Sequence, residues 1–168
     1  SSAASGSVIV QGGVITNSNL FPLAYTGSVG SEVVFEAARA DYSMPIFDSS
    51  NNKVVIIYAD NGDSSNGKAI VGTVSGSSIS YGTAVTFNAA TTTSATTTTF
   101  DSNLNKVVTF YKDDSNSEYG TAAVGTVSGT SISFGTPVVF ESATVGMTQS
   151  SSVFDTSNNK TVTAYRDV

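Results

Sequence analysis

The chain has no cysteine, no histidine and no tryptophan among its 168 residues, and only 3 prolines. Without cysteine no disulfide can staple the fold, and redox compartment leaves no mark on the sequence. The commonest general base, the thiolate nucleophile and the usual zinc ligands are all missing. Serine is abundant, but no Ser-His-Asp arrangement can be built, and neither a Ser-Lys motif nor a phosphate-cradling glycine loop is present. Charge is scarce as well: charged residues make up 12% of the chain, about half the usual share. A net charge of -6 carried with only 7 Lys and Arg repels phosphate backbones and anionic lipid, so nucleic acid and membrane surfaces are poor partners. No apolar run of about 18 residues occurs, so no helical membrane span is expected.

What remains is apolar and uncharged-polar. Hydrophobic residues reach 39%, rich in Val, Ile, Phe and Tyr, and Ser, Thr, Gly and Asn fill the rest. Disorder needs few apolar residues and high net charge, and this chain has neither. Its length suffices for one ordinary domain with a real core. The opening stretch, Ser1 to Ser7, consists mainly of small residues and lacks Met, as after a processing cut or at the start of an excerpt.

Self-similarity is the strongest signal. Phe47-Asp48-Ser49-Ser50-Asn51-Asn52-Lys53 returns as Phe100-Asp101-Ser102-Asn103-Leu104-Asn105-Lys106 and again as Phe154-Asp155-Thr156-Ser157-Asn158-Asn159-Lys160. Each copy leads into a run ending in Tyr-x-Asp, at Tyr58 to Asp60, Tyr111 to Asp113 and Tyr165 to Asp167. A second block, Gly72 to Thr83, recurs from Gly125 to Thr136, and a third, Val29 to Ala38, matches Tyr81 to Ala90 and Phe134 to Ala143. All three blocks share one period of about 53 residues. The chain therefore divides into an atypical segment, residues 1–28, able to supply edge or assembly strands, and a tandem repeat domain, residues 29–168, with landmarks Phe47, Phe100 and Phe154.

Turn chemistry marks four strands per period, in the middle copy roughly Ala95 to Asp101, Lys106 to Lys112, Tyr119 to Ser128 and Ile132 to Phe140. The Asp-x-x-x-Asn-Lys segment reads as a hairpin loop, because Asp bonds the main chain two residues on and Asn tolerates left-handed backbone. Ser128-Gly129-Thr130-Ser131 reads as a second, tight turn. In the second strand Val55 and Ile57 alternate with Val54, Ile56 and Tyr58, so both sheet faces are apolar and both need cover. The third strand is small, with Ala69-Ile70-Val71-Gly72 and Ala122-Ala123-Val124-Gly125. Short antiparallel strands in fours, covered on both faces by like neighbours, define a β-propeller-like array of about three blades, all β. A trimeric β-prism or linear β-repeat fibre is the alternative.

The copies are offset from unit borders. The sequence opens with a fourth strand, runs through two full sets and closes on strands one and two, with Ser7 to Thr16 or Leu20 to Thr26 open as a degenerate third strand. Propellers close with about four to eight blades, so bare edges are expected to recruit other chains, either head to tail into a ring or onward into a filament, unless the sequence is an excerpt of a longer array.

Paired carboxylates are the remaining catalytic option. Asp48, Asp101 and Asp155 recur in register, however, and so do Asp60, Asp113 and Asp167; residues repeated in every unit serve the unit, and no catalytic residue is expected. Asp60 to Gly67 and Asp113 to Asn116 are oxygen-rich loops that a Ca2+ ion could visit, although they lack EF-hand spacing; no other cofactor is implied. The set Tyr58, Asp60, Tyr111, Asp113, Tyr165 and Asp167 pairs an aromatic with an acid, a combination suited to stacking on a cell-surface glycan and bonding its hydroxyls, or to packing with a wet hydroxyl.

The phrase from Val124 to Phe140 and the Phe154 to Lys160 segment resemble tandem repeats of tail-fibre-like or adhesin-like proteins from marine bacteriophages and bacterioplankton. The resemblance covers Val29 to Val168 and leaves Ser1 to Ser28 outside. It implies an extracellular or virion-surface part, non-enzymatic, that binds a cell surface or builds an appendage. A lectin-like carbohydrate-binding propeller is the second reading, and a glycosidase a remote third.

Overall fold

The computed structural model describes residues 5–8, 11–12, 15–16, 24–25, 28–91 and 94–168, with side chains described from residue 30 onward except 92–95. Its strands are β1 (Ser5–Val8), β2 (Gln11–Gly12), β3 (Ile15–Thr16), β4 (Ala24–Tyr25), β5 (Ser28–Val29), β6 (Val33–Asp48), β7 (Lys53–Asp60), β8 (Asn66–Ser75), β9 (Ser78–Tyr81) and β10 (Val85–Thr91). They continue with β11 (Ser94–Asp101), β12 (Lys106–Asp113), β13 (Tyr119–Ser128), β14 (Ser131–Phe134), β15 (Val138–Asp155) and β16 (Lys160–Asp167). Among the described residues the one helical piece is a 3-10 turn at Asn61–Asp63. The fold is all β, as the alternation and turn chemistry require.

Each hairpin loop is built by its own aspartate. Asp48 accepts from the backbone N–H of Ser50 and Asn51 at 2.9 and 3.0 Å. Asp101 accepts from those of Asn103 and Leu104, both at 2.9 Å, and Asp155 from those of Ser157 and Asn158 at 2.8 and 3.2 Å. Asn52, Asn105 and Asn159 close the loops with φ of 53°, 56° and 53°, a left-handed conformation that Asn adopts at little cost. The following lysine is also reused: Lys53 donates to Thr73 Oγ1 and Lys106 to Thr126 Oγ1, at 2.9 and 2.8 Å. The tight hairpins turn on Gly76 and Gly129, with φ of 59° and 61°, where glycine alone is unstrained.

Pairing follows the meander. One sheet runs β1-β6-β7-β8-β10 with β9 beside β8, and the other runs β11-β12-β13-β15-β16 with β14 beside β13. The main pairings among the described residues are antiparallel. The fourth strand of a unit is longer and more broken than the repeat implies. It comprises β14, an interruption at Gly135 to Pro137, and then the start of β15. Pro137 lacks the N–H that a ladder position needs, so the interruption falls where pairing is dispensable. β15 then continues without a loop into the first strand of the next unit: Val138 to Thr144 pair with β13, and Val145 to Asp155 pair with β16. β6 makes the same transit, with a register shift between Asp41 and Met44 around Tyr42, whose φ is 56°. A bulge there re-aims the strand.

The described strands that precede β6 belong to this pattern. β1 pairs with β6 through Ser5↔Arg39, Gly6↔Glu36, Ser7↔Val34 and Val8↔Val33. The same slipped register joins Tyr119↔Thr144, Gly120↔Glu141, Thr121↔Val139 and Ala122↔Val138, and it joins Asn66↔Thr91 through Ala69↔Val85. Gln11↔Val29 likewise repeats Gly72↔Tyr81 and Gly125↔Phe134. The backbone thus places Ser5–Val8 as a third strand, which meets the Ser7 to Thr16 alternative at Ser7 and Val8. The β3–β4 pairing, Ile15↔Tyr25, extends the same hairpin beyond the length found in the full units. The Leu20 to Thr26 alternative lies outside the described residues except for Ala24 and Tyr25, which pair with β3.

Units pack face to face. One core cluster joins Val55, Ile57 and Val71 of the first full unit to Phe100, Val107 and Tyr111 of the second. A second cluster sets Ile56, Tyr58 and Ile70 beneath Phe35 and Ala40 of the N-terminal half-unit. A third joins Phe110 and Val108 to Val145, Met147 and Tyr165. Each unit therefore has a forward face (Val55 and Ile57, or Val108 and Phe110) and a back face (Ile56 and Tyr58, or Val107 and Tyr111), the split read from the alternation. Along the first strands, β11 lies between β6 and β15. Its buried threonines are joined outward, Thr96 Oγ1 to the Tyr42 carbonyl at 3.2 Å and Thr97 Oγ1 to Ser152 Oγ at 2.9 Å.

At the outer rim a β-carbon on Gly82 would fall on the Thr130 carbonyl oxygen of the next unit, whereas its repeat partner Gly135 faces open space. Gly82→Ala should therefore cost about 2 kcal/mol or more in urea unfolding, by backbone overpacking. Gly135→Ala should stay within about 0.5 kcal/mol of the parent, as an open-surface change does.

Candidate functional site

The residues that the sequence singles out for a ligand lie at the junctions between units. The Tyr58 and Tyr111 side chains are fully buried. Each ring meets a phenylalanine from the fourth strand of the preceding unit, edge to face. Phe35–Tyr58, Phe87–Tyr111 and Phe140–Tyr165 all have centroids 5.2 Å apart, with interplanar angles of 73°, 66° and 68°. Such a contact adds about 0.5–1.5 kcal/mol to the burial itself. With their faces taken by protein, Tyr58 and Tyr111 have no ring surface left on which a sugar could stack. Tyr165 and Asp113 are half-buried, and Asp167 is exposed.

The tyrosine hydroxyls differ by copy. Tyr58 donates to Glu36 Oε2 and Tyr165 to Glu141 Oε2, each at 3.3 Å. In the middle copy the glutamate is replaced by Asn88, whose amide donates to Asp113 Oδ1 at 3.4 Å, and the Tyr111 hydroxyl is buried without a partner. The Phe-Glu, Phe-Asn and Phe-Glu pairs at 35–36, 87–88 and 140–141 sit inside the third repeated block. Their role was present in the sequence as a recurrence, but which strand they reach across to was not.

Two of the aspartates that follow the tyrosines, Asp60 and Asp113, build turns. Asp60 Oδ1 accepts from the Gly62 N–H at 2.8 Å, and its Oδ2 accepts from Lys68 at 2.7 Å. Asp113 Oδ1 accepts from the Ser115 N–H and hydroxyl at 3.1 and 2.6 Å. The two oxygen-rich loops each receive a lysine. Lys68 bridges Asp60 and Asp63, and Lys112 lies 3.2 Å from both Asp114 and Glu118. Bonding to Asp60 and Asp63 raises the Lys68 ammonium, and the same lysine lowers the Asp63 carboxyl. An internal cation thus occupies the place that a Ca2+ ion would need to win. Among the described residues no group of three or more acidic side chains is arranged to hold a metal. The first aspartate set is committed too. Burial alone would raise the Asp48 carboxyl, but the bonds from Ser50 and Asn51 outweigh it and the net shift is downward. Asn158 and the loop N–H groups lower Asp155.

No family model, no curated protein and no solved structure matches the chain. The geometry, then, is that of units apolar on both faces, with the recurring polar groups engaged at turns and at the junctions between units.

Two outcomes follow from the tyrosines. Tyr58→Phe should cost about 1 kcal/mol by removing the bond to Glu36, whereas Tyr111→Phe, which deletes an unpartnered buried hydroxyl, should be neutral or slightly stabilising. Both are read from urea unfolding. Burial pushes the Tyr58, Tyr111 and Tyr165 hydroxyls above their usual value of 10.0, with Glu36, Asp113 and Glu141 adding to it, and burial alone pushes Tyr81 up to about 12. The unfolded chain releases these protons near pH 10 while the folded chain holds them. Their stabilising contribution is therefore complete below pH ~10 and is lost as pH rises toward the folded values. With no histidine, the urea midpoint should stay nearly flat from pH ~6 to ~9 and fall steeply beyond ~10.

Proposed function

We propose that this chain is a non-enzymatic structural or adhesion subunit of an extracellular or virion-surface assembly, such as a tail or fibre component or filament subunit, joined through its blade edges. The observation that carries the reading is the split unit. β1, with β5 and the first half of β6, occupies the positions of strands three and four, while the second half of β15, with β16, occupies those of strands one and two. Unpaired strand edges recruit strands. A contact that repeats head to tail either closes into a ring or runs on as a fibre. In support stand the low charge, the lack of histidine and cysteine, and the commitment of the recurring aspartates to turns. The resemblance to tail-fibre-like and adhesin-like repeats points the same way.

Carbohydrate binding is the rival reading. It has lost the open faces of Tyr58 and Tyr111 but retains the loops at the rims, where scaffolded binding residues usually sit.

Light scattering over a concentration series should give a mass above that of one chain, and electron microscopy should show rings or filaments. A well-folded species that stays monomeric at every concentration would sink this reading. Saturable, competable binding to particular glycans on an array by such a monomer would favour the lectin instead.

A further inference from the structure

Three places in the structure that are filled inside the chain stand open at its third and first units, and they fit one another. The first is a strand edge. β7 pairs with β8 from Ile57↔Ala69 to Asp60↔Asn66, and β12 pairs with β13 from Phe110↔Ala122 to Asp113↔Tyr119. β16 is the equivalent strand of the third unit, and β1 is the equivalent of β8 and β13. Among the described residues both lie at the end of their sheets.

The second is an apolar contact. Phe100 is 9% exposed and shares a cluster with Ile46 and Val55, a cross-strand pair on the forward face of the preceding unit. Its repeat partner Phe47 is 52% exposed. The pair equivalent to Ile46 and Val55 in the third unit is Val153↔Val162, exposed by 60% and 51%. A bare phenylalanine and a bare valine pair are thus the two halves of a contact already made within the chain. The third is the rim glycine: Gly82 is closed over by the turn of the next unit, and Gly135 is open.

We infer that a second copy of this chain completes the split unit. The β1 strand of one copy adds to the free edge of β16 of the other, antiparallel, in the register Val8↔Ala164, Ser7↔Tyr165, Gly6↔Arg166 and Ser5↔Asp167. Phe47 of the first copy then covers Val153 and Val162 of the second, and the N-terminal hairpin comes to rest over Gly135. This rests on the assembly reading above and adds to it the partner, the strands and the register. Register is strongly specified here, because a slip of one residue would turn every apolar side chain to the wrong face.

The lack of cysteine makes the test direct. One preparation carries Val8→Cys, a second Ala164→Cys, and the two are mixed, dissociated, reassociated and mildly oxidised, or treated with a short bis-maleimide. A disulfide-linked or maleimide-linked dimer should form in this mixture, and at least tenfold less of it when Ser7→Cys replaces Val8→Cys. Phe47→Ser, a half-exposed position, should abolish cross-linking while leaving circular dichroism and the unfolding midpoint of the isolated chain nearly unchanged. If the mixture gives no more dimer than the slipped control while light scattering reports an oligomer, this register is wrong and the assembly reading stands. If light scattering reports a monomer throughout, both fall.

Discussion

One constraint governs the molecule: each of the two full four-stranded units is apolar on both faces, and each is covered by a neighbour on both sides. The edge-to-face Phe–Tyr contact makes that cover concrete. It occurs three times at the same 5.2 Å separation, always from the fourth strand of one unit to the second strand of the next. The remaining features of the junction are arranged around it. Ala69 and Ala123 are fully buried, keeping the third strand low enough for the facing sheet to seat. Gly120 makes room for the Phe140 ring that reaches across, with a contact of 2.7 Å awaiting any β-carbon placed there. Stability in such an array is close to a sum of units and nearest-neighbour junctions, and the junctions carry most of the apolar burial.

Much of this was legible in the sequence, for physical reasons that can be named. Period-two alternation in Val54 to Tyr58 fixes which side chains share a face, and the observed clusters divide those residues in the same way. The loop aspartates were readable because an Asx turn is local: the donor and acceptor lie two or three residues apart, and nothing distant is needed. The transit of β6 and β15 from one unit into the next was not readable. A strand that changes partners halfway carries no local mark beyond a proline or a bulge, and Pro137 by itself suggests only an interruption. The third-strand character of Ser5–Val8 was half visible, since its sequence diverges from the other copies while its backbone register does not.

The candidate ligand residues teach a related lesson. An aromatic beside an acid at the end of a strand has two uses, to face a sugar or to anchor a junction, and the sequence pattern is the same for both. Burial decides between them. At Tyr58 and Tyr111 the rings lie wholly inside, and the acid next to each is engaged by its own turn. The copy that departs from the pattern is the informative one. Where Asn88 stands in place of glutamate, the tyrosine hydroxyl loses its acceptor, yet the ring contact is unchanged at 5.2 Å. The ring packing is therefore the retained part of the junction and the hydroxyl bond the dispensable part, as expected when apolar burial outweighs one net hydrogen bond of about 1 kcal/mol.

That hierarchy bears on how an assembly of such chains behaves. A junction held by apolar area and backbone pairing is insensitive to salt and to pH across the neutral range, because few of its terms involve charge. It is directional, because forward and back faces differ, so a contact between copies built in the same way would be heterologous. A heterologous contact has no built-in stopping point, and closure depends only on whether the rotation from unit to unit divides a full turn. Within the chain two further contacts join neighbouring units beside the apolar faces: the hydroxyl bonds of the first strands, where β11 lies between β6 and β15, and the approach of Gly82 to the Thr130 carbonyl. In an assembly joined through the same kind of junction, closure into a ring or growth into a fibre would depend on these contacts together with the apolar faces.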